Sequence, residues 1–499
     1  MDVTRSSSST PDRGSIAPVS LASVERFDHD VDVVVVGFGC AGAAAALEAA
    51  TAGADVVVLE RLSAPGGSSA QSGGEIYLGG GTPVQKACGF EDSADDMYAY
   101  LHAALGPHVD ERKLRLYCDE SVQHFEWLRQ HGISFQESMY DAPTWVPPTT
   151  DGLMWLGENA WPYDTLARPA PRGHRPPTGD YGGWLLMEKL VAAVGAAGGR
   201  THPDSRATAL VVDEASRVVG VAARQFGQEV CYRARKGVIL TTGGFVDNEE
   251  MLGAHAPVLL GHGKVSDGGD DGSGIRMACA LGAATRRMSA VQAALIAPPS
   301  LVYRGMLVNA LGQRFINEDG YPGVYSQRAL LHEPAPWWVI IDQEGFEAVA
   351  VAEAPGLQPQ HVAETAAELG EELGLPPGAL QNTVTIYNRH AAEGEDPYFH
   401  KNAKWLRELE GPLAAVDPRI LGVSAATKTG IAGFTLGGLH TTVDGAVLHV
   451  SGQPIPGLYA AGRATSGIHG EGYVSGTSLG DGTFFGRRAG RAAALPASR

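Results

Sequence analysis

"VDVVVVGFGCAGAAAALEAATAGADVVVLER", Val31 to Arg61, is the stretch that decides the fold. It opens on a β-branched run, breaks at Gly37, Gly39 and Gly42 in GxGxxG spacing, continues as an alanine-rich segment and closes on a second valine run ending in Glu60. Strand, helix and strand in that order make a βαβ unit. Gly37 permits the tight strand-to-helix turn, Gly39 lets a pyrophosphate approach the backbone, and Gly42 lets the helix pack closely on the strand. The helix N-terminus then faces the phosphates. Glu60 is placed to accept ribose hydroxyls, which disfavours a 2′-phosphate. Ala41 in the turn and Arg61 beside the acid are counted with them as cofactor contacts.

The surrounding chain has 499 residues, 44% of them apolar, and no uninterrupted apolar run approaches the ~20 residues a membrane helix needs. That composition predicts a soluble chain of two or three globular domains. A formal net charge of −18 argues against general nucleic-acid binding, because neutralising phosphates needs a basic surface. The five cysteines, Cys40, Cys88, Cys118, Cys231 and Cys279, show no CxxC spacing, so no metal site is expected and a reducing cytoplasm is the simpler setting. The serine-rich start, "MDVTRSSSSTPDRGS", lacks the apolar core of a secretory signal, and residues 1–28 read as a disordered tail.

The loop after the βαβ unit separates NAD from FAD. "SAPGGSSAQSGGEIYLGGGT", Ser63 to Thr82, is dense in glycine and serine. Its backbone amides and hydroxyls, at Gly67, Ser68, Ser69, Gly73 and Gly74, suit a pyrophosphate and a flavin edge. A plain NAD domain has no use for such a loop. "KGVILTTGGF" runs into Gly243 and Gly244, and "GLYAAGRATSG" turns at Gly462. Both read as strands returning to the same sheet, with glycines where the backbone nears the cofactor. FAD is the expected cofactor.

Taken together, the GxGxxG start, "GGSSAQSGG", "TTGGF", "GQRFINED", "FTLGGL", "GLYAAGR" and the C-terminal "SLGDG" resemble the fumarate reductase and 3-ketosteroid dehydrogenase flavoprotein superfamily. The resemblance covers residue 30 onward. It implies an α/β fold: a Rossmann-like FAD-binding domain of glutathione-reductase type, with an inserted α+β catalytic or capping domain. The expected limits are 29–284 and 433–499 for the FAD-binding parts and 285–432 for the insertion. In this superfamily, covalent flavin attachment uses a histidine before the glycine-rich loop. Gly66, Gly67, Ser68 and Ser69 stand there, so non-covalent FAD is expected.

Fumarate-reducing members carry an arginine before the LG pair of the C-terminal motif, where this chain has Ser478 followed by Leu479. A dicarboxylate would therefore lack its bidentate donor at that point. Ser478 and Leu479 are counted instead as flavin contacts. "GYVSGTSLGDG", from Gly472, resembles the 3-ketosteroid Δ4-(5α)-dehydrogenase pattern. That resemblance implies Tyr473 as donor to the C3 ketone, Ser475 as proton acceptor from C4, and a tyrosine of the inserted domain as relay to solvent. Tyr321 is preferred as relay, with Tyr325 as the alternative; Δ1-dehydrogenation, or another enone-forming or enone-reducing reaction, is the alternative chemistry. The implied substrate is a small apolar polycyclic ketone, with a separate electron acceptor.

The chemistry explains the two hydroxyls. Desaturation next to a ketone removes a proton from one carbon and a hydride from its neighbour, and charge gathers on the ketone oxygen. A phenol can donate to that oxygen. Serine is a weak base and needs a relay that clears its proton. Without the resemblance, Tyr473 is a buried aromatic and Ser475 a helix N-cap. The segment 140–184, with Trp145, Trp155, Trp161 and Trp184, either lines an apolar pocket or packs a proline-stiffened excursion. Because Gly66 to Ser69 supply no histidine, acid precipitation is expected to release all bound flavin into the supernatant; flavin retained in the pellet overturns the non-covalent assignment.

Overall fold

The computed structural model describes residues 16–295, 297–352, 357–419 and 430–495. Four parallel strands lie side by side at its centre: Val56–Leu59, His29–Val36, Gln228–Leu240 and Pro454–Ala460. Val36 pairs with Leu59 on one side and Leu240 on the other, and Leu240 pairs with Ala460. Strands from three distant parts of the chain thus end at one edge. Val33 to Val36 are at most 5% exposed, the unbroken apolar run expected of a parallel strand covered on both faces. Val33 and Val35 join the core that holds the helix Cys40–Thr51, whereas Val34 and Val36 join the opposite core.

Arg200–His202 extends the sheet beyond Val56–Leu59, and the hairpin Ser205–Val212 and Val218–Gln225 covers the first half of Gln228–Leu240. The tail expected over residues 1–28 needs correction. Residues 1–15 lie outside the described residues, but Val19–Ser20 pairs with Val211 and Val212 at the sheet edge. Asp28 N donates to Cys231 O at 2.9 Å. Serine content concealed a short edge strand whose stability comes from backbone pairing rather than side-chain pattern.

The C-terminal helix Thr477–Ala494 packs on Cys40–Thr51 through Gly482, Gly486 and Gly490. A Cβ at Gly486 would lie 2.5 Å from Ala41 O, and one at Gly490 would strike Ala45 O. Every fourth residue is missing a side chain on one face, so the backbones touch. Buried Glu48 ties the same pair by accepting from Arg487 at 3.3 Å and Arg491 at 2.5 Å.

A second antiparallel sheet, Met306–Val308, Trp338–Asp342, Leu413–Val416 and His361–Ala363, carries its own apolar clusters. Between the two stands a three-stranded sheet of Gly263–Lys264, Ile431–Thr435 and Val291–Leu295. The limit expected at 432 falls inside Ile431–Thr435. The tryptophan-rich excursion holds the two-residue strands Met139–Tyr140, Leu153–Met154 and Gly173–His174, the last paired with Ile76–Tyr77, and one four-residue helix, Tyr163–Leu166. Elements that short leave no periodicity to read. Among the described residues no helix is long and apolar enough to cross a membrane.

Gly486→Val is expected to push the two helices apart and to lower stability by about 1–3 kcal/mol or more, as overpacking does. Thermal unfolding of the flavin-loaded protein reads this directly; an unchanged midpoint means the backbones do not touch.

Candidate functional site

The shared strand edge opens into a cavity of about 550 Å³. Gly37 N donates to Leu59 O at 2.8 Å, and Thr241 N donates to Val36 O at 2.9 Å. At Gly37, φ is +101° and a Cβ would lie 2.5 Å from Thr241 O, so only glycine fits. Gly39 is the N-cap of Cys40–Thr51 and offers no side chain to its first amides. Cys40 N finds Ser69 Oγ at 3.1 Å, and the remaining dipole faces the cavity. Glu60 Oε2 accepts from Phe38 N at 2.9 Å and Oε1 from Leu62 N at 2.8 Å, bracing the glycine turn while lining the cavity. Burial pushes its carboxyl up, and those two amides oppose it.

Of the sequence-expected cofactor contacts, Gly37, Gly39, Ala41, Glu60, Arg61, Gly67, Ser68, Ser69, Gly73, Gly243, Gly462, Ser478 and Leu479 line the cavity. Gly42, Gly74 and Gly244 stand behind the wall, where a Cβ would meet Thr241 Oγ1 at 2.8 Å, Gly182 C at 2.6 Å and Thr435 Oγ1 at 2.5 Å. They are packing positions, as Gly42 was expected to be. Arg61 reaches Gly269 O at 3.0 Å and Asp271 at 3.1 Å.

The wall suits a long, phosphate-bearing ligand. An uncapped helix N-terminus faces it, and four of its buried polar atoms, Thr242 Oγ1, Ser478 Oγ, Gln292 Oε1 and Glu75 Oε1, have no hydrogen-bond partner among the described residues. Buried polar atoms left unpaired are costly, so such a set marks where a polar ligand completes the site. FAD fits this donor and acceptor set.

Tyr473 and Ser475 line the same cavity. Gly476, with φ +79°, is the N-cap of Thr477–Ala494 and carries no side-chain cap, so Ser475 does not cap the helix. A Cβ at Gly476 would lie 2.7 Å from Tyr77 N, and this close approach fixes the turn that presents Ser475. The Tyr321 hydroxyl donates to Ser475 Oγ in a short hydrogen bond. Burial pushes the Tyr321 hydroxyl far up, with the Ser475 bond opposing. Tyr325 lies instead in the apolar cluster of Leu301 and Val339, its hydroxyl without a partner among the described residues.

Tyr473 stacks on His469 at 5.6 Å and meets Phe434 edge-on at 5.2 Å. Burial, helped by the Arg287 and Arg463 charges, pushes His469 down to about 3, so the ring beside Tyr473 is neutral. Of the four tryptophans, Trp145 lines the cavity and lies edge-on to Tyr321 at 5.7 Å. Trp155 packs on Phe90, while Trp161 and Trp184 are 39% and 52% exposed.

Of the other arginines that could in principle replace the missing dicarboxylate clamp, Arg304, Arg314, Arg328 and Arg463, Arg304 does not line the cavity and the other three are already held. Arg314 is paired with Glu318 and with Asp396 at 2.7 Å, Arg328 with Glu333 at 2.6 Å, and Arg463, which does line the cavity, with Asp270 at 2.5 Å. Sequence reasoning missed Glu75, Arg175, Gln292 and the Asp270–Arg463 pair. Glu75 alone left a trace, as the single charge in the glycine-rich loop. Glu60→Gln puts an amide NH₂ where a backbone N–H needs an acceptor. It is expected to weaken FAD binding by about 1–3 kcal/mol. Flavin titration of the apoprotein measures this; unchanged affinity overturns the bracing role.

A sequence profile of the family described as "FAD binding domain" matches residues 32–479. The chain is 50% identical to the 3-ketosteroid-delta4-(5alpha)-dehydrogenase of Rhodococcus jostii RHA1, solved in complex with 4-androstene-3,17-dione, with a TM-score of 0.92 over 96% of this chain and 100% of that one. It is 28% identical to the 3-oxo-5-alpha-steroid 4-dehydrogenase of Comamonas testosteroni over 90% of this chain and 95% of that protein. It is 29% identical to the NADH:acrylate oxidoreductase of Vibrio harveyi over 94% of this chain, but spans only 51% of that longer protein. The chain belongs to the FAD-binding flavoprotein family that also holds fumarate reductases and 3-ketosteroid dehydrogenases, and it is an oxidoreductase whose cofactor is FAD.

Proposed function

We propose that this protein desaturates the C4–C5 bond of 3-keto-5α-steroids. Ser475 takes the proton from C4, Tyr473 donates to the C3 oxygen, and Tyr321 relays the proton. The observation that carries the reading is the Tyr321 to Ser475 hydrogen bond on the wall that Tyr473 shares. Relatives that act on 3-ketosteroids at 50% and 28% identity support the substrate class. Bound FAD supplies the acceptor for the hydride leaving C5. The cofactor shell of the proposal is the set of lining residues named above, within FAD-binding parts 29–284 and 433–499 around an insertion over 285–432. The five cysteines are unpaired, which favours the reducing cytoplasm as its setting.

Energetics decide which groups must act together. A preorganised donor such as Tyr473 contributes about 3–4 kcal/mol to an enolate-like transition state. The uncapped N-terminus next to Ser475 contributes about 0.3–1 kcal/mol, up to about 2 when partly buried. That is far too little to make a free serine alkoxide. Proton transfer through Ser475 therefore has to be concerted with departure of its own proton to Tyr321. The apolar side of the cavity, with Trp145, Val146, Ala294, Ala432 and Phe434, suits a flat hydrocarbon skeleton.

Ser475→Ala is expected to keep FAD and to bind the enone product normally. Its flavin should bleach at least about 100-fold more slowly when a saturated 3-ketosteroid is added anaerobically. Tyr473→Phe should weaken ketone binding and slow reduction together, since it removes the donor to the oxygen where charge develops. Reduction of Ser475→Ala within a few-fold of the unmodified rate removes the serine from the chemistry. The position of the double bond, read from the product of a 5α-3-ketosteroid with an artificial electron acceptor, separates C4–C5 from C1–C2 desaturation.

A further inference from the structure

The proton that Ser475 passes to Tyr321 still has to leave. Tyr321 is 4% exposed. Four carboxylates line the cavity among the described residues: Glu60, Glu75, Asp267 and Asp270. Glu60 accepts from two backbone amides, Asp267 accepts from Ser68 at 3.2 Å and Gly269 N at 2.9 Å, and Asp270 is paired with Arg463 at 2.5 Å. Of these four, Glu75 alone takes no hydrogen bond from another residue among the described residues; its own backbone N–H is the one amide turned to it. Its Oε1 has no hydrogen-bond partner among the described residues, and Arg175 Nε stands 3.7 Å away, itself unpartnered. The backbone carbonyl of Glu75 packs against Gly476, the residue after Ser475, where a Cβ would lie 3.1 Å from Glu75 O, and the Glu75 side chain lines the same cavity as Ser475.

Arg175 cannot turn away to another carboxylate. Its Nη atoms donate to the carbonyls of Pro147, Thr149, Thr178 and Asp180, so the guanidinium is a fixed positive charge behind Glu75. The charged and titratable groups around the carboxyl are Arg175, with Asp151 and Asp180 beyond it, and the hydroxyls of Tyr181, Tyr321 and Tyr473. Burial pushes Glu75 up and the Arg175 charge opposes. Burial also raises the Tyr321 and Tyr473 hydroxyls, and the Glu75 charge adds to both. Tyr181, on the same wall, is 54% exposed and marks the way to solvent.

We propose that Glu75, held beside the cavity by Arg175, is the acceptor that clears the proton from the Ser475–Tyr321 pair and releases it past Tyr181. The assignment rests on the desaturation reading above. In each turnover the Tyr321–Ser475 hydrogen bond reverses: C4 gives its proton to Ser475 Oγ, the Ser475 hydroxyl turns to give its own to Tyr321, and the Tyr321 proton so released passes by way of the cavity to the Glu75 carboxylate. The two electrons leave C5 as hydride to the bound FAD. Both hydroxyls end neutral, and one proton rests on Glu75 until solvent takes it.

The test is anaerobic flavin reduction by a 3-keto-5α-steroid as a function of pH, in the unmodified protein, Glu75→Gln and Glu75→Asp. An ionised Glu75 is required, so the unmodified rate should fall as pH drops through a value above the usual carboxylate range. Glu75→Gln should reduce about 10- to 100-fold more slowly, lose that acid limb, and recover in part with added formate or imidazole. Glu75→Asp should be slowed yet keep the limb, and it serves as the test if Glu75→Gln does not load FAD. A purely structural role gives no limb to lose and no rescue. If the unmodified flavin bleaches while Glu75→Gln, or the substitute Glu75→Asp, matches it within twofold at every pH, Glu75 is not the acceptor and the desaturation reading stands. If the unmodified flavin does not bleach with any 3-ketosteroid, both are overturned.

Discussion

Backbone contact between the helices Cys40–Thr51 and Thr477–Ala494 is the constraint on which the cavity depends. One helix begins at Gly39, where its N-terminus, free of a capping side chain at that residue, suits a pyrophosphate, and the other begins at Gly476, directly after Ser475. Side chains at Gly482, Gly486 and Gly490 would push the two apart, and with them the glycine turn at Gly39 and the hydroxyls of Tyr473 and Ser475. Buried Glu48, shared by Arg487 and Arg491, adds direction to the same contact. Leaving that carboxylate unpaired would cost far more than an exposed ion pair contributes.

The strand edge and this helix pair act as one frame. Parallel strands ending at Val36, Leu59, Leu240 and Ala460 place Gly37, Glu60, Thr241 and Gly462 around one opening, where ligands of open α/β sheets bind. Asp481, one turn into the C-terminal helix, accepts from Ile468 N at 3.0 Å and anchors the loop leading to Tyr473. Tyr473 and Ser475 are therefore held by the same helix that closes the cofactor side. Tyr321 arrives from a distant part of the chain, as the residue before the helix Pro322–His332, and packs into the core of the first sheet.

Charge in this site is managed by pairing rather than exclusion. Asp270 is matched by Arg463, which lies over the Phe434 ring, and Arg314 is matched by Glu318 and Asp396 away from the cavity. Besides its carboxylates, the wall facing a substrate carries the hydroxyls of Tyr473 and Ser475 and apolar side chains, with the neutral His469 ring stacked behind Tyr473. A dicarboxylate would bring two more negative charges to a cavity already lined by carboxylates, with Arg463 engaged by Asp270.

What was legible in the sequence was local: the βαβ unit around Gly37 to Gly42, the later strands at Lys236 and Gly457, and the Tyr473 and Ser475 pair, because each is written in consecutive residues with a characteristic period or spacing. The edge strand at Val19 and the two-residue strands near Trp155 were not legible, since pairing across the backbone leaves no mark on so few side chains. Nor was the neighbourhood of Tyr321, whose hydroxyl reaches Ser475 across 154 positions while that of Tyr325, four residues on, points into an apolar cluster. By itself the sequence determined the cofactor fold and the identity of the hydroxyls. Tertiary structure decided which groups meet: Glu75 with Arg175, Tyr321 with Ser475, one helix backbone with another. Side-chain direction and the approach of distant segments are set by packing over the whole molecule, not by any window of neighbouring residues.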